Sequence, residues 1–275
     1  MTLQRGKMFG DLWKRKAWKR RINTLCLVVL LVCFYSMAMA NAEKIRVDSA
    51  VIFEDFSYAD LGHTEWVQAV IPASPRLSLL GRVTVLRRFQ QSDVQGTVGG
   101  SLRVGAKTGL EGEISVSPGA VIAPRFSTSW SLYRAIASVE IMPYYRFSRY
   151  ETTDVHLFAM GATWPVTRSF RSIGRAYISA TRFHNGPTEW NPAFLIQGRV
   201  VLNSRFTIIP SYSFYRESFE AGAPDQTRRF SAHVGRIETR HRTSSAFLVR
   251  IAWEYEGRST DVSVRRYDFG IQYQW

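Results

Sequence analysis

The side chains able to do acid–base or nucleophilic chemistry are spread thinly through this 275-residue chain. The five histidines are His63, His156, His184, His233 and His241, and no two of them have the spacing of a metal-binding pair. Asp60-x-x-His63 and His184-Asn185 sit where links between apolar segments are expected. Ser57 or Asp93 could complete a Ser/His or Asp/His pair there, the arrangement a rim hydrolase would need. Residues of these types in links are far more often simply solvated, so no catalytic residue is assigned. There is no G-x-S-x-G, phosphate loop or dinucleotide fingerprint. The only cysteines, Cys26 and Cys33, lie near the start of the chain. No metal site or cofactor is expected, and the chain reads as a non-enzyme.

More informative are charged residues that recur at every second position opposite apolar ones. Arg76, Arg82, Arg88, Arg103, Arg146, Arg199, Arg250 and Arg266 share faces with Glu111, Glu113, Glu140, Glu217, Glu254, Glu256 and Asp268. On a strand, alternate side chains point to opposite faces, so each such segment has one wet and one dry side. Two chemistries are open to a face of this kind. The charges could pair into an internal network, since buried charges persist when paired. They could instead line a pore that draws anionic solutes, because rings of charge set selectivity.

The elements that carry these residues follow an N-terminal segment of a different kind. "KRKAWKRR" (14–21) precedes the apolar run 22–42, which ends on small residues. Basic, apolar and A-x-A regions in that order describe a secretory signal peptide over residues 1–42, cut after Ala42, with Ala40 as a second site. An uncleaved anchor helix is the alternative, because the run approaches the ~20 residues needed to span a bilayer. Met8 is a second candidate start, and Cys33 follows a valine too bulky for a lipobox. Cleavage would remove both cysteines, eight of the 36 basic residues and one of the 22 acidic ones. That leaves 28 basic against 21 acidic side chains, all but Lys44 and Lys107 of the basic ones being arginine. They are scattered rather than clustered, and no nucleic-acid partner is expected.

Residues 43–275 read as one domain of fourteen alternating segments, near 46–57, 64–72, 76–89, 97–106, 110–117, 125–134, 137–150, 153–164, 171–183, 193–202, 205–217, 229–238, 245–256 and 262–275. The first, eighth and ninth are ambiguous in face, and twelve strands result if two weak segments are links. Tight links such as "ASP" and "KTG" follow even-numbered segments; longer ones such as "SYADLGHT", "QQSDVQG" and "PGAVIAP" follow odd-numbered ones. Short turns on one rim and long loops on the other describe an all-β, antiparallel transmembrane barrel of 12–14 strands in a Gram-negative outer membrane. A soluble sandwich explains the alternation equally well, but not charges opposite broad aromatics. Facing lipid near the midplane, each charge costs roughly 2–4 kcal/mol, so in a barrel they must face the lumen. Pro143 and Pro210 fall inside strands on the apolar face, where each removes a ladder donor.

The last segment, "YDFGIQYQW", places Tyr267, Phe269, Ile271, Tyr273 and Trp275 on one face. It resembles the C-terminal signal that outer-membrane proteins present to the barrel-assembly machinery, which implies that machinery and outer-membrane lipid as partners. With "FEDFSYADLGHTEW" and "YYRFSRYETTDVHLFAMGA", the layout is similar to the YaiO-type outer-membrane β-barrel family. That resemblance implies a part in exopolysaccharide export beside a separate tetratricopeptide-repeat or polysaccharide-synthesis protein, and it supplies no catalytic motif. Three functions follow as expectations: an export component for surface polysaccharide, a general or anion-favouring porin, and a rim hydrolase.

Overall fold

The computed structural model describes residues 45–218 and 229–275. The expected signal peptide and its cleavage sites at Ala40 and Ala42 lie outside these residues. Fourteen strands are present: β1 (Arg46–Phe56), β2 (Gly62–Ser74), β3 (Leu77–Arg88), β4 (Gln91–Gly105), β5 (Thr108–Val116), β6 (Phe126–Ile136) and β7 (Val139–Arg149). The second half comprises β8 (Thr153–Pro165), β9 (Phe170–Phe183), β10 (Thr188–Val201), β11 (Phe206–Glu217), β12 (Phe230–Arg242), β13 (Phe247–Arg258) and β14 (Ser263–Gln274). Each strand pairs antiparallel with the next, and β1 pairs with β14, so the sheet closes as a barrel with no free edge.

Cross-strand partners share a face, so the register traces the inner surface around the whole circuit. Arg266 lies opposite Glu254, which lies opposite Arg236 and then Ser211. In the other direction Arg266 faces Glu54. The opposite parity carries Trp190, Phe158, Trp253 and Phe269, large apolar side chains that remain exposed on the outer surface. The wet face is therefore the lumen and the dry face meets lipid, as the alternation requires.

The two prolines sit where the ladder can spare them. On β7, pairing with β6 runs through Tyr144 and resumes only at Ile141, while Pro143 keeps its partner Met160 on β8. On β11, pairing with β10 lapses between Ser211 and Ile208, while Pro210 keeps Ile237 on β12. A residue in an antiparallel ladder presents its N–H to one neighbour only, so each proline leaves one local gap.

The links differ from the expectation at one rim. The β3–β4 link is only Phe89–Gln90, so most of "QQSDVQG" is strand. Phe89 (φ 51°) and Gln90 (φ 60°) both adopt left-handed conformations, as a two-residue type I′ hairpin demands. Such turns normally announce themselves with Asn-Gly or Asp-Gly, and Phe-Gln gives no such signal. The rim that carries both ends of the sheet has links of two to four residues throughout. Among the described residues, the long link at the opposite rim is 117–125.

Candidate functional site: the divided lumen

The inner face is not uniform. Along β12, β13, β14 and β1, with one contribution from β3, carboxylates and guanidiniums form a continuous network. Glu54 receives Arg88, through Nη2 at 2.5 Å and also through Nε, and Arg266 Nε at 2.9 Å. Arg266 Nη1 reaches Glu254 at 2.6 Å and lies 2.7 Å from Glu256 Oε2. Arg258 Nε donates to Glu256 at 2.5 Å, and its guanidinium lies 4.3 Å from the centre of the Phe230 ring. Arg236 joins Glu254 (3.6 Å), Glu238 (2.8 Å) and Asp268 (3.0 Å). Arg240 closes on Glu238 at 2.7 Å and Arg250 on Asp268 at 3.3 Å. Glu54 is 1 % and Glu256 0 % exposed, which desolvated carboxylates tolerate only with partners of this kind. Arg250 also spans Gly270, where an added Cβ would lie 3.0 Å from its Nη2, and stacks over the inward Trp66 at 5.5 Å. This half of the barrel is a cross-braced wall, with a smaller cavity of about 260 Å³ bordered by Arg236, Glu238, Arg240 and Glu254 where it meets β10 and β11.

The other half, β4 to β10, is different. Arg103, Arg146, Arg171, Arg175 and Arg199 also face inward, by register with Gly109, Leu157, Pro165, Gly161 and Arg171 respectively. None of these five makes an ion pair among the described residues. Arg175 finds only the Met142 sulfur, at 3.6 Å, and its Nε has no acceptor. Of the neighbouring carboxylates, Glu113 accepts from Arg82 at 2.8 Å and Glu111 from the Tyr133 hydroxyl at 2.5 Å, while Glu140 shares a cavity with Arg103 without an ion pair among the described residues.

Cavities follow this arginine side from rim to rim. One of about 310 Å³, at the rim of short links, is lined by Arg76, Lys107, Arg103 and Glu140. It shares Glu111 and Tyr133 with a second of about 330 Å³, bounded by Arg146 and Arg175. That in turn shares Arg146, Leu157 and Tyr177 with a third of about 350 Å³, which reaches Tyr150, Glu217 and Ser218 at the opposite rim. The 117–125 link folds over part of that rim. Inward Asp93 holds it by accepting from the backbone N–H groups of Val121, Ile122 and Ala123 at 2.9, 2.6 and 2.9 Å.

Of the residues expected to line the lumen, Arg82, Arg88, Arg103, Glu111, Glu113, Glu140, Arg146, Arg199, Glu217, Arg250, Glu254, Glu256, Arg266 and Asp268 all lie on the inner face of strands. Arg76 is the exception: it lies in the two-residue β2–β3 turn and borders the cavity mouth from there. Of the two chemistries open to this face, internal pairing is concentrated on one wall. The sequence reading missed Glu54, Arg171, Arg175, Arg236, Glu238, Arg240 and Arg258. Extending the twelfth and thirteenth segments by one alternation beyond 238 and 256 would have found the last two, Arg240 and Arg258.

The residues considered for a rim hydrolase are not brought together. His63 is on the outer face beside Glu65 (3.4 Å), whereas Asp93 faces the lumen with one carboxylate oxygen engaged by three amides. Ser57 accepts from the Ser263 amide at 2.9 Å, and His184 lies 3.9 Å from Asp154. Tyr267, Phe269, Ile271 and Tyr273 of the terminal stripe are exposed on the lipid side of β14, and Trp275, just past its end, is exposed as well.

No family model and no curated protein matches the chain. Among solved structures, the barrel is similar to outer-membrane expressed OmpT of Vibrio cholerae, with a TM-score of 0.53 at 8% identity, covering 86% of this chain and 99% of that one. It is also similar to the translocator domain of the autotransporter NalP from Neisseria meningitidis (TM-score 0.49, 11% identity, 92% and 98% covered) and to the KdgM porin (0.46, 11%, 83% and 99%). Together with the apolar outer face and charged lumen, the shared architecture makes this chain a fourteen-stranded β-barrel of the outer membrane.

Proposed function

We propose that the barrel is a channel that favours anionic solutes, conducting along the β4–β10 side of its lumen. One observation carries this reading: a rim-to-rim run of cavities bordered at mid-depth by unpaired Arg146 and Arg175, opposite a wall whose charges are consumed by one another. Free guanidiniums over a partly desolvated path lower the energy of a passing anion, and a paired wall contributes little net field. The braced wall has a mechanical role, holding the barrel cross-section open beside the cavities. The test is liposome swelling with a neutral disaccharide and an anionic one of similar size. Wild type admits the anionic sugar faster. The R146E/R175E double variant slows that sugar severalfold and leaves the neutral rate unchanged. Equal rates for the two sugars in both proteins would remove the anion preference.

A further inference from the structure

The outer face carries arginines at one rim almost exclusively. Arg87, Arg149, Arg182, Arg216 and Arg265 have the outward parity, and each lies within three residues of its strand's end at the rim of long links. All five are exposed. At the opposite rim Arg134 on β6 is the outward counterpart. The outward carboxylates near the arginine rim are fewer. Asp55 lies 3.9 Å from Arg265, Glu65 lies beside His63, and Asp154 bonds Arg149 at 3.1 Å. Arg87, Arg182 and Arg216 make no ion pair among the described residues.

The best-defined part of this belt spans three adjacent strands. Arg149, Asp154 and Arg182 are cross-strand neighbours on β7, β8 and β9, two guanidiniums flanking one carboxylate. The next outward level toward the midplane is Phe147, His156 and Ala180, and the one below it Tyr145, Phe158 and Ile178. Phe158 and Ile178 are exposed, and Arg149 lies over the Phe147 ring at 5.6 Å. A patch that is cationic at the headgroup level and broad and apolar immediately beneath fits an amphiphile with phosphate above acyl chains. Both ends of the sheet lie at the other rim, which an even-stranded barrel keeps in the periplasm, so the belt lies at the outer leaflet.

We infer that this outward arginine belt, centred on Arg149 and Arg182, binds the phosphate groups of outer-leaflet glycolipid. Arginine suits the task because its planar fork donates two charge-assisted hydrogen bonds to one phosphate. Asp154 and the Phe147 ring hold the Arg149 guanidinium, while Arg182, the cross-strand neighbour of Asp154 on β9, keeps all its donors for a ligand.

Native mass spectrometry of the detergent-purified, folded barrel tests this with two probes, bis-phosphorylated lipid A and the same lipid dephosphorylated. Wild type retains the phosphorylated probe over the dephosphorylated one by about tenfold, the equivalent of one good charge-assisted contact pair. The R149Q/R182Q variant loses most of that preference, and R134Q at the opposite rim keeps it. Equal retention of the two lipids by wild type overturns the inference without reference to any variant. Displacement of the lipid by millimolar inorganic phosphate also overturns it, because the belt would then be a general anion site rather than one fitted to lipid.

Discussion

Replacing Arg266 by methionine lowers the unfolding free energy of the barrel by about 3–5 kcal/mol, the cost of removing one member of a buried ionic cluster. Among the described residues, Arg266 is the one side chain that touches Glu54, Glu254 and Glu256 together. Two of those carboxylates are essentially inaccessible, and methionine fills the volume without offering a proton. Arg88 and Arg258 would remain on Glu54 and Glu256, but Glu254 would keep only Arg236 at 3.6 Å. The measurement is urea unfolding of refolded protein, read by the mobility difference between heated and unheated samples in SDS gels. Because the charges act as one network, adding Glu254→Gln to Arg266→Met recovers part of the loss, and the two changes are not additive. Arg146→Met, at an inward arginine outside the network, leaves the midpoint close to wild type. An unchanged midpoint for Arg266→Met would show that the wall contributes nothing to rigidity.

The second large effect is on assembly. Changing Trp275 to Ser cuts the barrel recovered from outer membranes severely, whereas Trp275→Phe is nearly silent and Trp253→Ser lowers stability without the same failure of insertion. Trp275 and Trp253 are similarly exposed on the lipid face, so loss of interfacial apolar contact costs them about the same. They differ in place. Trp275 follows the closing strand, donates its N–H to the Ile45 carbonyl at 3.2 Å beside the β1–β14 seam, and has its ring 5.3 Å from that of Tyr273. We propose that the Trp275 ring is read during insertion, which separates the two variants where surface energetics would cost both alike. Abundance of the four proteins, followed by heat-modifiability, decides the matter. Wild-type recovery of Trp275→Ser would leave the stripe as a strand and nothing more.

How much of this was legible beforehand follows from period and end signals. A two-residue period with charges on one side specifies parity, so Glu254, Arg266 and Asp268 could be placed inside without knowing any neighbour. The first strand resisted because Val51, Ile52 and Phe53 put apolar side chains on both faces, and Glu54 was lost with it. Strand ends were misjudged where turns lacked their usual residues, as at Phe89–Gln90. Which arginines pair could not be read at all. Pairing depends on closure, which brings β1 against β14 and Glu54 to Arg266, residues more than two hundred positions apart. A charge count predicts near-neutrality for the whole lumen, whereas the closed sheet sorts the same charges into a paired wall and an unpaired path.

That sorting is tested most directly by the reversal potential of the wild-type barrel in a planar bilayer under a KCl gradient. An open path bordered by Arg146 and Arg175 yields discrete conductance steps with a reversal potential displaced toward that of chloride, and R146E/R175E moves it toward that of potassium. Folded, heat-modifiable protein that inserts without conductance steps, or a wild-type reversal potential on the potassium side, would contradict the account.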